Sequence, residues 1–297
     1  MLKKITTLTG HNASVYALAP GKDDRHFLSG SGDGWIVEWS LDNPENGRLL
    51  ATADGNIFSL CNLSDSPLVV AGNMHGGLHW IDLDNPDRTQ NILHHQKGTF
   101  ALLPHGDYLY SAGGDGILTK WSLRSLRPVE SLHLSNQSLR SLAYAPDRNE
   151  IAVGAGDHHI YLLDADTWDI KHRIAAHQNS VFTVRYTPDQ TRLLSGGRDA
   201  RLCVWDLTGD SPRNLSRQNA HWYTVNAVAF HPAGHLFATG SRDKTVKIWD
   251  SQTYELLQVL DAPRDGGHIN SVNALQWTKD EVLVSGGDDR GVVLWGV

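Results

Sequence analysis

Cysteine is nearly missing from this 297-residue chain. Its two cysteines, Cys61 and Cys203, stand in no C-x-x-C pair. They supply neither a disulfide framework nor a thiolate zinc site, and their scarcity suits a reducing compartment. Positive charge is in deficit as well. With 26 Lys and Arg against 33 Asp and Glu, the formal charge is −7. No global basic field draws the chain to nucleic acid or anionic membranes, although a local basic patch stays open. Long apolar runs are absent: nothing approaches the roughly 18 residues of a spanning helix, and residues 1–9 lack the apolar core of a signal peptide. The expectation is a cytoplasmic chain without membrane contact. Helical periodicity is missing too. What remains is a chain 40% apolar, with 28 Gly and 10 Trp, in which short runs such as 225–230 alternate with glycine-rich turns. That pattern reads as an all-β fold with enough apolar surface for a packed core.

Self-similarity organises the chain. The segment SGGRDARLCVWD (195–206) is echoed by TGSRDKTVKIWD (239–250), SGGDDRGVVLWG (285–296), SGSGDGWIVEWS (29–40) and SAGGDGILTKWS (111–122), and more weakly by AGNMHGGLHWID (71–82) and VGAGDHHIYLLD (153–164). The turn position in these seven copies is Asp33, His75, Asp115, Asp157, Asp199, Asp243 and Asp289, separated by 42, 40, 42, 42, 44 and 46 residues. A second mark lies 20 to 22 residues earlier, at His11, Ala53, His95, Ser135, His177, His221 and His268. Between the marks run two apolar-alternating strands; a third ends at the Trp, and a fourth precedes the next mark. Four strands per repeat, seven times over, is the arithmetic of a β-propeller.

The literal pairs Trp205-Asp206, Trp249-Asp250, Gly10-His11 and Gly267-His268 resemble the WD-repeat β-propeller family, and the resemblance covers essentially the whole chain. It implies a single domain over 1–297, with repeats starting at residues 11, 53, 95, 135, 177, 221 and 268. The last copy stops after its third strand, so residues 1–10 are expected to complete that blade and close the ring, with no second domain beside it. Closure of this kind removes an exposed sheet edge.

Ser, His and Asp recur together and so raise the question of a hydrolase triad. Recurrence argues against it, because an active site is needed once. The same set appears as His11, Ser29, Asp33 and Trp39; His95, Ser111, Asp115 and Trp121; His177, Ser195, Asp199 and Trp205; His221, Thr239, Asp243 and Trp249; and His268, Ser285, Asp289 and Trp295. In WD-repeat proteins these positions form a structural chain from indole to hydroxyl to imidazole to carboxylate, and the resemblance carries that role onto these residues. Copies two (Ala53, Ala71, His75, Ile81) and four (Ser135, Val153, Asp157, Leu163) lose hydroxyl and indole together, as a network lost as a unit should. Sixteen histidines include His94-His95, His158-His159 and His75 with His79, but no recurring carboxylate or cysteine stands beside them at ligand spacing, so no metal is expected. The glycine runs lack a phosphate-cradling pattern and read as turns; no cofactor is expected.

The resemblance places partner docking on the narrower face, around the central channel. Five residues after each mark stand Tyr16, Phe58, Phe100, Arg140, Phe182, Asn226 and Asn273, an aromatic half-ring; just before the turn, Arg198 and Arg242 add a basic arc with Arg140. Trp222 and Arg264, the latter in a lengthened loop over 261–267, belong to the same face. Of the tryptophans outside the tetrads, Trp35 and Trp222 are the two expected in solvent. Aromatics and arginines dominate interface hot spots, and arginine grips carboxylates bidentately. The reading is a non-catalytic scaffold for a protein or peptide with apolar and acidic anchors. The alternative is a small anionic ligand, or catalysis, in the channel mouth. The charge balance argues against nucleic acid, and the sequence does not speak to oligomeric state.

Overall fold

The computed structural model describes residues 1–63 and 66–297. It contains seven four-stranded antiparallel sheets arranged as the blades of a propeller. Blade one runs outward through Val15–Pro20, His26–Ser31, Trp35–Ser40 and Arg48–Thr52. The other blades repeat that order. Blade seven is composite: Val272–Trp277, Leu283–Gly287 and Val292–Gly296 are joined on the outside by Lys3–Leu8 from the chain start, with Lys3 opposite Gly296 and Leu8 opposite Val292. The inner strands of blades one and seven pack side by side, so the circle is complete.

The middle strands are buried almost throughout, as in His26–Ser31 and Glu150–Ala155, and their successive side chains face the two neighbouring blades in turn, because a sheet with two buried faces needs a layer on either side. The core accordingly divides into seven clusters, one per junction. Leu8, Val284, Val292 and Leu294 of blade seven, for example, meet Val15, Phe27, Val37 and Trp39 of blade one. The tetrad tryptophans each bury their indole against the preceding blade. Blade four has Leu163 where they stand, and Trp168 from its outer turn packs into that junction beside Tyr110. Trp35 is half-buried in the junction between blades seven and one, not in solvent as expected: its turn lies against the packed layer. Cys61 and Cys203 are buried free thiols.

Two local features shape the face above the channel. The residue after each turn mark adopts left-handed backbone in all seven blades, from φ 64° at Ala200 to 88° at Gly76. At Gly116 a Cβ would lie 1.6 Å from the Ser135 carbonyl oxygen, so only glycine admits that approach. Every inner strand also carries a β-bulge at its second residue. In blade five Val181 pairs Gly197 and Thr183 pairs Gly196, leaving Phe182 outside the ladder. The skipped residues elsewhere are Tyr16, Phe58, Phe100, Arg140, Asn226 and Asn273. A bulge re-aims its extra side chain, and here all seven turn to the channel.

Candidate functional site

The five tetrads are connected hydrogen-bond chains. Trp39 Nε1 donates to Ser29 Oγ at 2.8 Å, Ser29 Oγ lies 2.7 Å from His11 Nε2, and His11 Nδ1 lies 3.1 Å from Asp33. The same links join Trp121, Ser111, His95 and Asp115; Trp205, Ser195, His177 and Asp199; Trp249, Thr239, His221 and Asp243; and Trp295, Ser285, His268 and Asp289. Since Nδ1 faces a carboxylate, the imidazole proton belongs there, and the hydroxyl donates to Nε2. Burial lowers the pKa of His11, His95 and His221 and outweighs their carboxylates, which keeps the rings neutral. Burial opposes ionisation of Asp199, yet His177 and the backbone N–H groups of Gln178 and Arg201 bring it down to about 2. All five hydroxyl residues have 0% exposure, so no substrate atom reaches a would-be nucleophile.

The indole partner matters energetically. Outside the tetrads, the buried Nε1 groups of Trp80, Trp168 and Trp277 have no partner among the described residues, whereas all five tetrad indoles have one. Each tetrad carboxylate also accepts the backbone N–H of the residue after its His: Asn12, Gln96, Gln178, Trp222 and Ile269. The tetrads thereby clamp the loops that lead into the bulged rim residues.

The two degenerate blades did not lose their networks outright. In blade four Asp157 accepts from Ser135 Oγ at 2.9 Å and Tyr161 Oη at 2.6 Å, so Ser135 and Tyr161 do the work of His and hydroxyl. In blade two Asn73 takes the place of the turn carboxylate, accepting from the N–H groups of His75 and Gly77 while its amide meets His79 Nε2 at 3.0 Å. Ser135 stands at the His mark itself, whereas Tyr161, Asn73 and His79 sit at positions where the repeat pattern gives no signal.

All seven rim residues line one channel of about 580 Å³. Tyr16 meets Phe58 edge-on at 5.3 Å, Phe58 stacks on Phe100 at 5.3 Å, and the Arg140 guanidinium lies between Phe100 (4.5 Å) and Phe182 (4.8 Å). The half-ring is therefore one continuous stack whose members bury part of one another's surface and keep the rest accessible. Asn226 and Asn273 complete the circle by donating to the Val272 and Val15 carbonyls. Arg198 and Arg242 are exposed and have no carboxylate partner among the described residues; the charge of Arg198 reaches Arg140. Arg264 is different. It folds onto its own one-turn helix, Ala262–Asp265, and is held by Asp261 and Asp265, so its charge is already answered. Trp222 is 87% exposed.

The rim holds more than the repeat arithmetic gave. Tyr223, Ile269 and Met74 are exposed apolar residues beside Trp222 in the clamped loops or before the turn mark, and Lys97 adds an exposed cation in blade three. Their common signal is position, one or two residues after the His or one before the turn. Inside the channel, Arg185 also lines the wall. Among the described residues no three His, Cys, Asp or Glu side chains gather as a metal set, and no helix is long and apolar enough to cross a membrane.

The family model described as "WD domain, G-beta repeat" matches residues 2–40, 168–206, 213–250 and 255–296, more than half of the chain. Actin-interacting protein 1-2 of Arabidopsis thaliana is 25% identical over 97% of this chain and 47% of its own length; Actin-interacting protein 1 of Drosophila melanogaster is 23% identical over 99% and 48%. The chain thus spans about half the length of these relatives. A Serine-threonine kinase receptor-associated protein of Mus musculus is 24% identical over 89% of this chain and 75% of its own. Among solved structures, the WD40 β-propeller domain of Doa1 superposes with a TM-score of 0.86 at 21% identity, covering 100% of this chain and 97% of that one. With its sevenfold ring, its hydrogen-bonded tetrads and these matches, the chain belongs to the WD40 repeat family.

Proposed function

We propose that this protein is a non-catalytic scaffold that docks a peptide or protein segment on the face around the channel mouth, gripping apolar side chains on the aromatic stack and acidic ones on the arginine arc. The observation that carries this reading is the pairing of a half-exposed aromatic stack with cations that have no carboxylate partner among the described residues, in a protein whose net charge is −7. Solvent-exposed Trp222, Tyr223 and Ile269 on the adjoining loops extend the apolar part. Clamped loops lower the ordering cost of docking, since the rim is held before a partner arrives. Relatives named for association with actin or with a receptor kinase support the general class and not a particular partner.

The test is an array of short synthetic peptides graded in acidic and aromatic content, probed with wild type, with Arg198→Glu/Arg242→Glu, and with Phe100→Ala/Phe182→Ala. Acidic, aromatic peptides are expected to bind wild type and to lose at least about tenfold in affinity with either variant, about 1.4 kcal/mol. Equal binding by all three proteins would move the site off this face.

A further inference from the structure

Arg185 is a channel residue that the docking reading does not use. It extends from the blade-five inner strand, Val181–Tyr186, and lines the lumen. Both of its hydrogen bonds leave from Nη1, to the carbonyls of Leu142 and Val184, each at 3.2 Å. A guanidinium has five N–H groups. The Nε and Nη2 edge, the fork that fits an oxyanion side-on, therefore has no acceptor among the described residues. The side chain is open to the water of the channel, so that edge is accessible to a solute.

Arg140 repeats the situation one level up. Its Nε donates to Ser138 Oγ at 3.0 Å, its two faces are covered by Phe100 and Phe182, and its Nη edge is free. The carbonyl that anchors Arg185 belongs to Leu142, two residues along the strand from Arg140, which is about 7 Å of strand. Neighbouring blades thus offer two unspent guanidinium edges at successive depths of one channel. Burial lowers the pKa of both groups, and no carboxylate opposes it; at Arg140 the charge of Arg198 adds to the effect. A guanidinium edge with no carboxylate beside it can take an anion side-on.

We propose that the central channel binds a small diphosphate-type oxyanion, with Arg185 gripping one charged group from below and Arg140 the other from the rim. Two guanidinium edges at successive depths can each take one of two linked tetrahedral groups, which a single carboxylate does not offer. The channel of about 580 Å³ has room for them and for part of the molecule that carries them. This site shares Arg140 with the docking face but is centred on Arg185, which lies in the channel and which peptide docking does not use, and its ligand is small.

Titration calorimetry with inorganic pyrophosphate at fixed ionic strength tests the assignment. Wild type is expected to bind one pyrophosphate per chain, and more tightly than it binds acetate. Arg185→Met and Arg140→Met should each weaken binding at least about tenfold, while Arg127→Met, on the exposed outer strand of blade three, leaves it unchanged. Arg185→Met keeps an unbranched aliphatic stem and removes only bonds to backbone carbonyls, so circular dichroism should report a native fold. Should it fail to fold, Arg185→Lys serves instead: the charge remains and the fork is gone, and affinity should fall at least about threefold. Absence of saturable binding in wild type, or Arg185 variants that bind as wild type does, would overturn the proposal.

Discussion

Replacing Ser195 with Ala removes a single oxygen, but one on which two buried groups depend. Trp205 Nε1 donates to it at 3.0 Å and His177 Nε2 lies 2.9 Å away, in a site with no exposure. Losing the hydroxyl leaves an indole N–H and a ring nitrogen unpaired, each at about 1 to 3 kcal/mol. The expected destabilisation is about 2 to 5 kcal/mol. At about 2 °C per kcal/mol for a chain of this size, the calorimetric midpoint should fall by about 4 to 10 °C at constant scan rate. Thr239→Ser in blade six keeps the acceptor and loses one buried methyl, so it should cost only about 1 kcal/mol. A double-mutant cycle isolates the link: Trp205→Phe deletes the donor, so Ser195→Ala on that background should cost about 1 to 3 kcal/mol less than alone. Strict additivity, or a Ser195→Ala shift no larger than that of Thr239→Ser, would refute the claim that the hydroxyl is the centre of the network.

Two further outcomes follow. The tetrad histidines His11, His95 and His221 have folded pKa values below 6.5, and Asp33, Asp199 and Asp289 below 3.8. In both sets the unfolded chain binds more protons, so the stability these six groups give is complete above 6.5 and declines on acidification, through the histidines first and the carboxylates below about 4. His177 works the other way: its burial is outweighed by Asp199 and Cys203, which raise it to about 9, so its contribution is lost as the pH climbs from 6.5 through 9. A melting temperature that rises as the pH is lowered from 5 to 3 would contradict the loss on acidification. On the closing strand, Leu8 is 2% exposed at the junction of blades seven and one while Ile5 is 56% exposed. Leu8→Ala should cost about 2 to 5 kcal/mol and Ile5→Ala almost nothing in the same calorimeter, and equal effects would mean that the strand is not integral to the ring.

The ring and its count are legible in the sequence because each blade must solve the same packing problem. A repeat cannot bury both faces alone, so its apolar alternation, turn residues and hydroxyl–imidazole–carboxylate set recur at a fixed spacing. Tyr16, Phe58, Phe100, Arg140 and Phe182 can be picked out by their distance from the preceding mark. Their stacking cannot. It depends on a bulge in every inner strand, and a bulge is a matter of pairing between strands, invisible in the alternation of either one. Arg264 shows the converse: a cation in a loop reads as free until a one-turn helix folds Asp261 and Asp265 onto it.

By itself, then, the sequence determined the repeated elements: seven sets of four strands, the composite last blade, and the tetrads in blades one, three, five, six and seven. These are local patterns, and each blade states them again. Only the tertiary structure decided what has no period. It placed Trp168 in the junction where blade four has Leu163, and it brought Tyr161 onto the Asp157 carboxylate. It also set the free edges of Arg140 and Arg185 at two depths of one channel. The physical reason is that such contacts join residues from different blades, or from positions that no repeat rule links. Their partners are chosen by closure of the ring, and not by the spacing along any one strand.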